Sequence, residues 1–275
     1  MLDPETQKKL ITEGRNFMKS YSTSSYDDFE SDQQLKLPQP PLVKADMTEQ
    51  AFALPRNFED LTMQNDFISL LKERKSSRVY TRQTISLLQL SFLLWATQGI
   101  KDIRGKSYAT LRTVPSGGAR HPFETYLLVQ HVEGLQPGAY HYLPMGHQLE
   151  FLQPVEDLPT AISVSLEGQS WAGKASVIFY WSFVPYRCEW RYGITAHRPA
   201  LMDAGHVAQN LYLACTALGL GTCAIAAFDM KICDALFSLD GEEEFTVYAA
   251  PVGTISASDQ KLEKAFYQFV EDEGL

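Results

Sequence analysis

Apolar positions recur at helical spacing in two early stretches. Met63, Phe67, Leu70 and Leu71 fall on one face of a segment that runs up to ERKSSR, residues 73–78. ISLLQLSFLLWATQ, residues 85–98, predicts a second helix, capped by Thr84 or Ser86 and stopped at Gly99. The period then shortens. TYLLVQHV (125–132), GAYHYLP (138–144), HQLEFL (147–152) and SVIFYWSFV (176–184) alternate or run apolar as sheet members do, with a tight turn around Met145 and Gly146. A long helical stripe follows in LMDAGHVAQNLYLACTALGLG, residues 201–221. There Ala204, Val207, Ala208, Leu211, Cys215 and Leu218 share a face, and Gly219 ends the helix. TCAIAAF (222–228) and FTVYAAPVGTI (245–255) complete the strands. This mixed order of helices and strands predicts an α+β sheet flanked by helices rather than a doubly wound one.

Residues 1–59 lack such a pattern. A short helical segment, the polar YSTSSYDDFESDQQ (21–34) and the proline-bearing LPQPPLV (37–43) read as an N-terminal extension, partly extended, ahead of a domain at 60–275. The 275 residues are 45% hydrophobic and carry a net charge of −9, which repels polyanions and argues against nucleic acid as a partner. No apolar run reaches membrane-spanning length, and the first residues have no signal-peptide pattern, so no membrane partner and a cytoplasmic location are expected. Four cysteines without a C-x-x-C pair suggest neither a disulfide framework nor a metal site.

Four places carry candidate chemistry. RTVPSGGARHP, residues 112–122, sets Gly117 and Gly118 in a loop, where the missing Cβ lets the backbone approach another group closely. ERKSSR offers guanidinium, ammonium and hydroxyl groups to a phosphate, or else a cationic helix end facing solvent. Asp203, His206 and Asn210 share a polar helix face, where a structural histidine is the ordinary reading. RCEWRYGITAHRP, residues 187–199, gathers aromatic, arginine and histidine side chains into a loop of either functional or packing role. Gly219-Leu-Gly221-Thr-Cys-Ala224 matches a dinucleotide fingerprint, but its glycines close a helix instead of opening one, which rejects that reading.

Taken in order, RKSSRVYT, LSFLLWATQGI, RTVPSGGARHPFETYLLV, GAYHYLP, DAGHVAQNLYLA, ALGLGTCAIAAF and PVG resemble the nitroreductase superfamily of flavoproteins, and within it the SagB-type dehydrogenase and azoline oxidase branch. The resemblance covers roughly residues 60–255. It implies a mixed, mainly antiparallel sheet in a homodimer with FMN at the interface. Arg74, Lys75 and Ser76 would hold the phosphate, and Arg78 would lie near the pyrimidine edge. Pro115, Ser116, Gly117, Gly118 and Ala119 would lie against the flavin of the partner subunit. Gly221, Ile225, Ala226 and Ala227 would pass the ring, with an N–H of Ala226 or Ala227 meeting N5. Lys261 and Lys264 are the candidates for a C-terminal phosphate contact. Arg191 and Tyr192 align with a lysine-tyrosine pair of the azoline dehydrogenases, but a guanidinium cannot accept a proton, so both are expected to orient substrate. The expected activity is ping-pong hydride transfer from NADH or NADPH to a small-molecule acceptor, a quinone or nitro compound. Alternatives are a SagB-like oxidation of a peptide-derived substrate with oxygen as acceptor, and a flavin-binding scaffold partner without activity.

Overall fold

The computed structural model describes residues 2–19, 29–256, 258, 261, 268 and 272–274. Seven strands form one sheet in the order β1 (Ala51–Ala53), β6 (Gln148–Gln153), β5 (Gly138–Leu143), β4 (Phe123–Val129), β7 (Val177–Phe183), β9 (Phe245–Thr254) and β8 (Leu220–Thr222). Every named pairing in it is antiparallel. Alternation along β4 and β7 divides the core in two. Leu127, Val129, Phe179 and Trp181 pack under α3 (Leu87–Gln98) and α6 (His197–Ala217). Tyr126, Leu128, Ile178 and Tyr180 face α4 (Leu158–Ser165) and α7 (Met230–Leu236). The expected α+β architecture, a mainly antiparallel sheet flanked by helices, is therefore what the chain adopts.

Several elements depart from the sequence expectations. α2 (Phe67–Glu73) leaves Met63 outside and exposes Phe67 and Leu71, so its apolar face is not a core face. Of the two expected caps of α3, Ser86 is the one used, in a reciprocal box with Gln89. α6 begins four residues before Leu201, at His197. TCAIAAF is barely a strand, because pairing ends at Thr222 and resumes only at the bridge between Ile225 and Ala249. A separate hairpin, β2 (Ile100–Arg104) and β3 (Ala109–Arg112), had no alternation to reveal it, since β2 is exposed beyond Ile100. The run expected to be a loop at 187–199 contains most of α5 (Pro185–Tyr192), which starts with proline at its first turn and ends at Gly193 with φ 47°.

Within the N-terminal extension, α1 (Pro4–Phe17) buries no residue. From Ser31 onward the chain lies along the domain. β1 adds a sheet edge to β6, and the Lys44 ammonium reaches Glu244 at 2.5 Å and the Tyr126 hydroxyl at 2.9 Å. Backbone N–H groups of Met47 and Thr48 donate to the buried Glu150 carboxylate at 2.9 and 2.8 Å. Glu150 in turn accepts from His141, which also faces Glu124, and the two carboxylates raise the His141 imidazole above its ordinary value despite burial. Among the described residues no helix is long and apolar enough to cross a membrane and no cluster could hold a metal ion, while all four cysteines are buried and none is in a disulfide.

Candidate active site

The glycine loop joins β3 to β4, and its tightness comes from torsions that side chains resist. Gly118, Ala119 and His121 all have positive φ, at 57°, 54° and 47°. Ser116 ties the turn, its hydroxyl accepting the His121 N–H at 2.9 Å. Gly117 donates its N–H to the Asp203 carboxylate of α6 at 3.0 Å, which anchors the loop on the first half of that helix. Burial raises the Asp203 carboxyl above its ordinary value, against the Ser116 and Gly117 hydrogen bonds that lower it. Glycine at 118 is required by contact as well as torsion. A Cβ there would stand 2.6 Å from the Arg191 side chain and from the Tyr192 hydroxyl. Pro115 is exposed at the start of the loop.

Arg191 is held by two other parts of the chain. Its Nη1 donates to the Tyr108 hydroxyl at 2.8 Å, at the tip of the β2–β3 hairpin, and to Gln33 Oε1 at 3.1 Å. Its guanidinium lies 5.6 Å from the Tyr192 ring centre. Arg120 closes the cluster from behind, donating to the carbonyls of Gly118 and Tyr108 and lying 5.1 Å over the Tyr108 ring. The segment around Gln33 is pinned to α5 by the Gln33 N–H on the Trp190 carbonyl and the Trp190 indole on the Leu37 carbonyl, at 2.8 and 3.0 Å. Phe29 occupies the space where Gly193 lacks a side chain.

The basic segment sits elsewhere. Ser77 donates its N–H to the Thr222 carbonyl at 2.9 Å, laying residues 74–78 along β8. Tyr212 of α6 is the hub: its hydroxyl lies 3.0 Å from the Ser76 hydroxyl and accepts the Ala224 N–H at 2.9 Å, while the Arg74 guanidinium lies 5.4 Å from its ring centre. Arg78 lies 6.0 Å from the Trp171 ring. Among the described residues neither Arg74 nor Lys75 has a carboxylate partner. Lys75 and Ser77 line a pocket of about 400 Å³ with Thr216, Gly219 and Leu220.

The segment expected to pass the flavin divides by role. Gly221 is set by packing, since a Cβ would meet Ile255 at 2.5 Å and Ser77 at 2.8 Å. Ile225 buries its side chain and spends both backbone groups on Ala249. Ala226 and Ala227 are exposed, and no partner for either N–H occurs among the described residues. Lys264 lies outside the described residues.

Asp203 and Tyr212 are nine residues apart on α6, about 14 Å along its axis. One chain therefore does not bring the glycine loop and the basic segment together. The polar face read from the sequence also divides. Asp203 holds the loop, Asn210 bonds the Ala96 carbonyl of α3 at 2.8 Å, and His206 is half exposed. Tyr108, Gln33 and Tyr212 were not legible as site residues. Tyr212 alone left a trace, a hydroxyl-bearing ring beside an otherwise apolar stripe.

Known proteins resemble the chain in sequence and in fold. The sequence profile of the Nitroreductase family matches residues 71–254. A nitroreductase-type protein of Methanocaldococcus jannaschii is 34% identical over 185 residues, 67% of this chain and 88% of that one. The microcin B17-processing protein McbC of Escherichia coli is 31% identical over 113 residues, 40% of this chain and 42% of that one. The crystal structure of a nitroreductase-type protein from Ralstonia eutropha superposes with a TM-score of 0.62 at 26% identity, covering 80% of this chain and 95% of that chain.

Proposed function

The chain belongs to the nitroreductase family of oxidoreductases, and on that premise we propose that it is an FMN-dependent oxidoreductase passing reducing equivalents from NADH or NADPH to a quinone or nitro acceptor. The observation that carries the reading is a pair of cations without carboxylate partners among the described residues, Arg74 and Lys75, beside the Ser76 hydroxyl, which Tyr212 links to the Ala224 N–H just before the N–H groups of Ala226 and Ala227, themselves without a partner among the described residues. That donor set fits a phosphate tail and the polar edge of a flat ring. When bound, FMN supplies hydride transfer at N5.

The residues of this chain do the rest by binding and orientation. Arg74, Lys75 and the Ser76 hydroxyl would hold the phosphate, and an N–H of Ala226 or Ala227 would be the donor to the ring. Residues 115–119 supply a flat, close-approaching wall to the flavin of a second subunit, because their own basic segment lies about 14 Å away along α6. Tyr192 and Arg191, against Gly118, orient the acceptor over that wall.

A second reading is favoured by the match to the microcin B17-processing protein. In it, a peptide-derived substrate is dehydrogenated and oxygen is the final acceptor. The purified protein is expected to be yellow and to release FMN, not FAD, on denaturation. Arg74→Ala is expected to weaken FMN binding by about 1.5–3 kcal/mol, the scale of a charge-assisted contact. An unchanged dissociation constant would mean that the basic segment is only a helix end. Turnover of a nitroarene or quinone with NADH, set beside oxidation of an azoline peptide in air, separates the two readings. Faster peptide oxidation, lost in Tyr192→Phe, would put the second reading first.

A further inference from the structure

Tyr108 has no place in the reading above, yet three elements converge on its hydroxyl. The oxygen accepts one hydrogen bond from Arg191 Nη1 at 2.8 Å, from α5, and another from Gln33 Nε2 at 3.1 Å, from the N-terminal segment. Two acceptances use the lone pairs of a phenol. Its own hydrogen then has no acceptor among the described residues, and the side chain is 39% exposed at the hairpin tip. A guanidinium, that of Arg120, covers the ring, and the same Arg120 and Arg191 border the glycine loop at Gly118. The Gln33 hydrogen bond is the largest influence and lowers the phenol below its ordinary value; burial opposes it, and the charges of Arg191 and Arg120 lower it further.

Resting on the function proposed above, we propose that Tyr108 is the proton donor to the carbonyl oxygen of a quinone acceptor as that acceptor is reduced, with Arg191 and Gln33 holding the phenolate until water restores it. The step balances. The quinone takes two electrons and one hydrogen as hydride from the flavin reduced by the nicotinamide. The Tyr108 O–H bond breaks, an O–H bond forms on the acceptor to give the hydroquinone, and a proton from water returns to the phenolate. Arg191, which cannot exchange a proton, acts by stabilising the anion. Gln33 is a positioning residue, acting through Tyr108 and Arg191.

The test uses the flavin-loaded protein. With tyrosine labelled at ¹³Cζ, one signal is expected to titrate below the other twelve of the 13 tyrosines, to vanish in Tyr108→Phe and to move toward them in Gln33→Ala. Dithionite-reduced Tyr108→Phe, mixed with a quinone, is expected to reoxidise about 100-fold more slowly than wild type, the lower end of general-acid contributions, with reduction by NADH unchanged. The Phe ring keeps the contact with Arg120, so folding is preserved. A Tyr108 signal that titrates with the others, or a Phe variant that reoxidises at the wild-type rate, overturns this proposal alone. A protein that holds no flavin overturns the functional reading and this proposal together.

Discussion

His147 is a neutral imidazole whose tautomer the surrounding hydroxyls determine. Ser91 spends its hydrogen on the Pro55 carbonyl at 2.5 Å, so at 2.7 Å it accepts from His147 Nε2, and Nδ1 accepts from Tyr142 at 2.7 Å. Burial pushes His147 down to about 4 and His121 to about 3. Both ionise near 6.5 in the unfolded chain, so as pH falls below 6.5 the unfolded state binds protons that the folded state does not. The stability they support is present above that value and lost on acidification. Between pH 6.5 and 5 each is expected to withdraw about 2 kcal/mol. Urea midpoints across that range measure it. His147→Asn should lower stability at pH 7 and flatten the pH slope, and an unchanged slope would refute the assignment.

At the scale of elements, the segment from Ser31 to Ala53 is fastened by buried charge as much as by β-pairing. Glu150 stands at the centre, fully buried, with its carboxylate between the His141 imidazole and the N–H groups of Met47 and Thr48. His141 and the backbone hydrogen bonds lower it below the ordinary carboxylate range although burial opposes them. Glu150→Gln would turn an amide NH₂ toward donors and leave His141 with one carboxylate. A loss of about 3–5 kcal/mol is expected, as for other broken buried pairs. Urea unfolding measures the loss, and limited proteolysis should show earlier cleavage around residues 44–50. Wild-type stability would mean that the β1–β6 edge holds the segment alone. Separate contacts with Trp190 of α5 set Gln33 against Arg191, so the N-terminal segment bears on the candidate site as well as on stability.

At the scale of the molecule, the proposed homodimer has exposed apolar surface to bury among the described residues. Phe67 and Ile68 of α2 are 61% and 62% exposed, and Leu201 and Met202 of α6 are 52% and 50% exposed. With the glycine loop and basic segment apart in one chain, a homodimer burying on the order of 2,000 Å² would supply each flavin with both. Light scattering is expected to give about twice 31.0 kDa. Met202→Glu is expected to lower the mass and the retained FMN together. A monomer that keeps its flavin at high dilution would rule out the shared site.

Much of this was legible in the sequence because it depends on local period and local chemistry. Apolar runs along 123–129 and 177–183 specify strands buried on both faces, Thr84 or Ser86 marks the start of α3, and paired glycines mark the close approach at 117–118. What escaped are partnerships across long separations. Gln33, Tyr108 and Arg191 meet at one hydroxyl from positions 75 and 83 residues apart, and although Arg191 lies in a run the sequence singles out, no local pattern distinguishes Gln33 or Tyr108. Gly221 reads as a cofactor position in the sequence, and the structure adds a second demand on the same glycine, since a Cβ there would meet Ser77 and Ile255. Residues 31–53 read as an appendage because polar side chains look solvent-facing until a sheet presents Glu150, His141 and Glu124 to them. Local chemistry determined the strands, the caps and the loop; only the tertiary structure, by packing distant polar groups out of water, decided which of them act together.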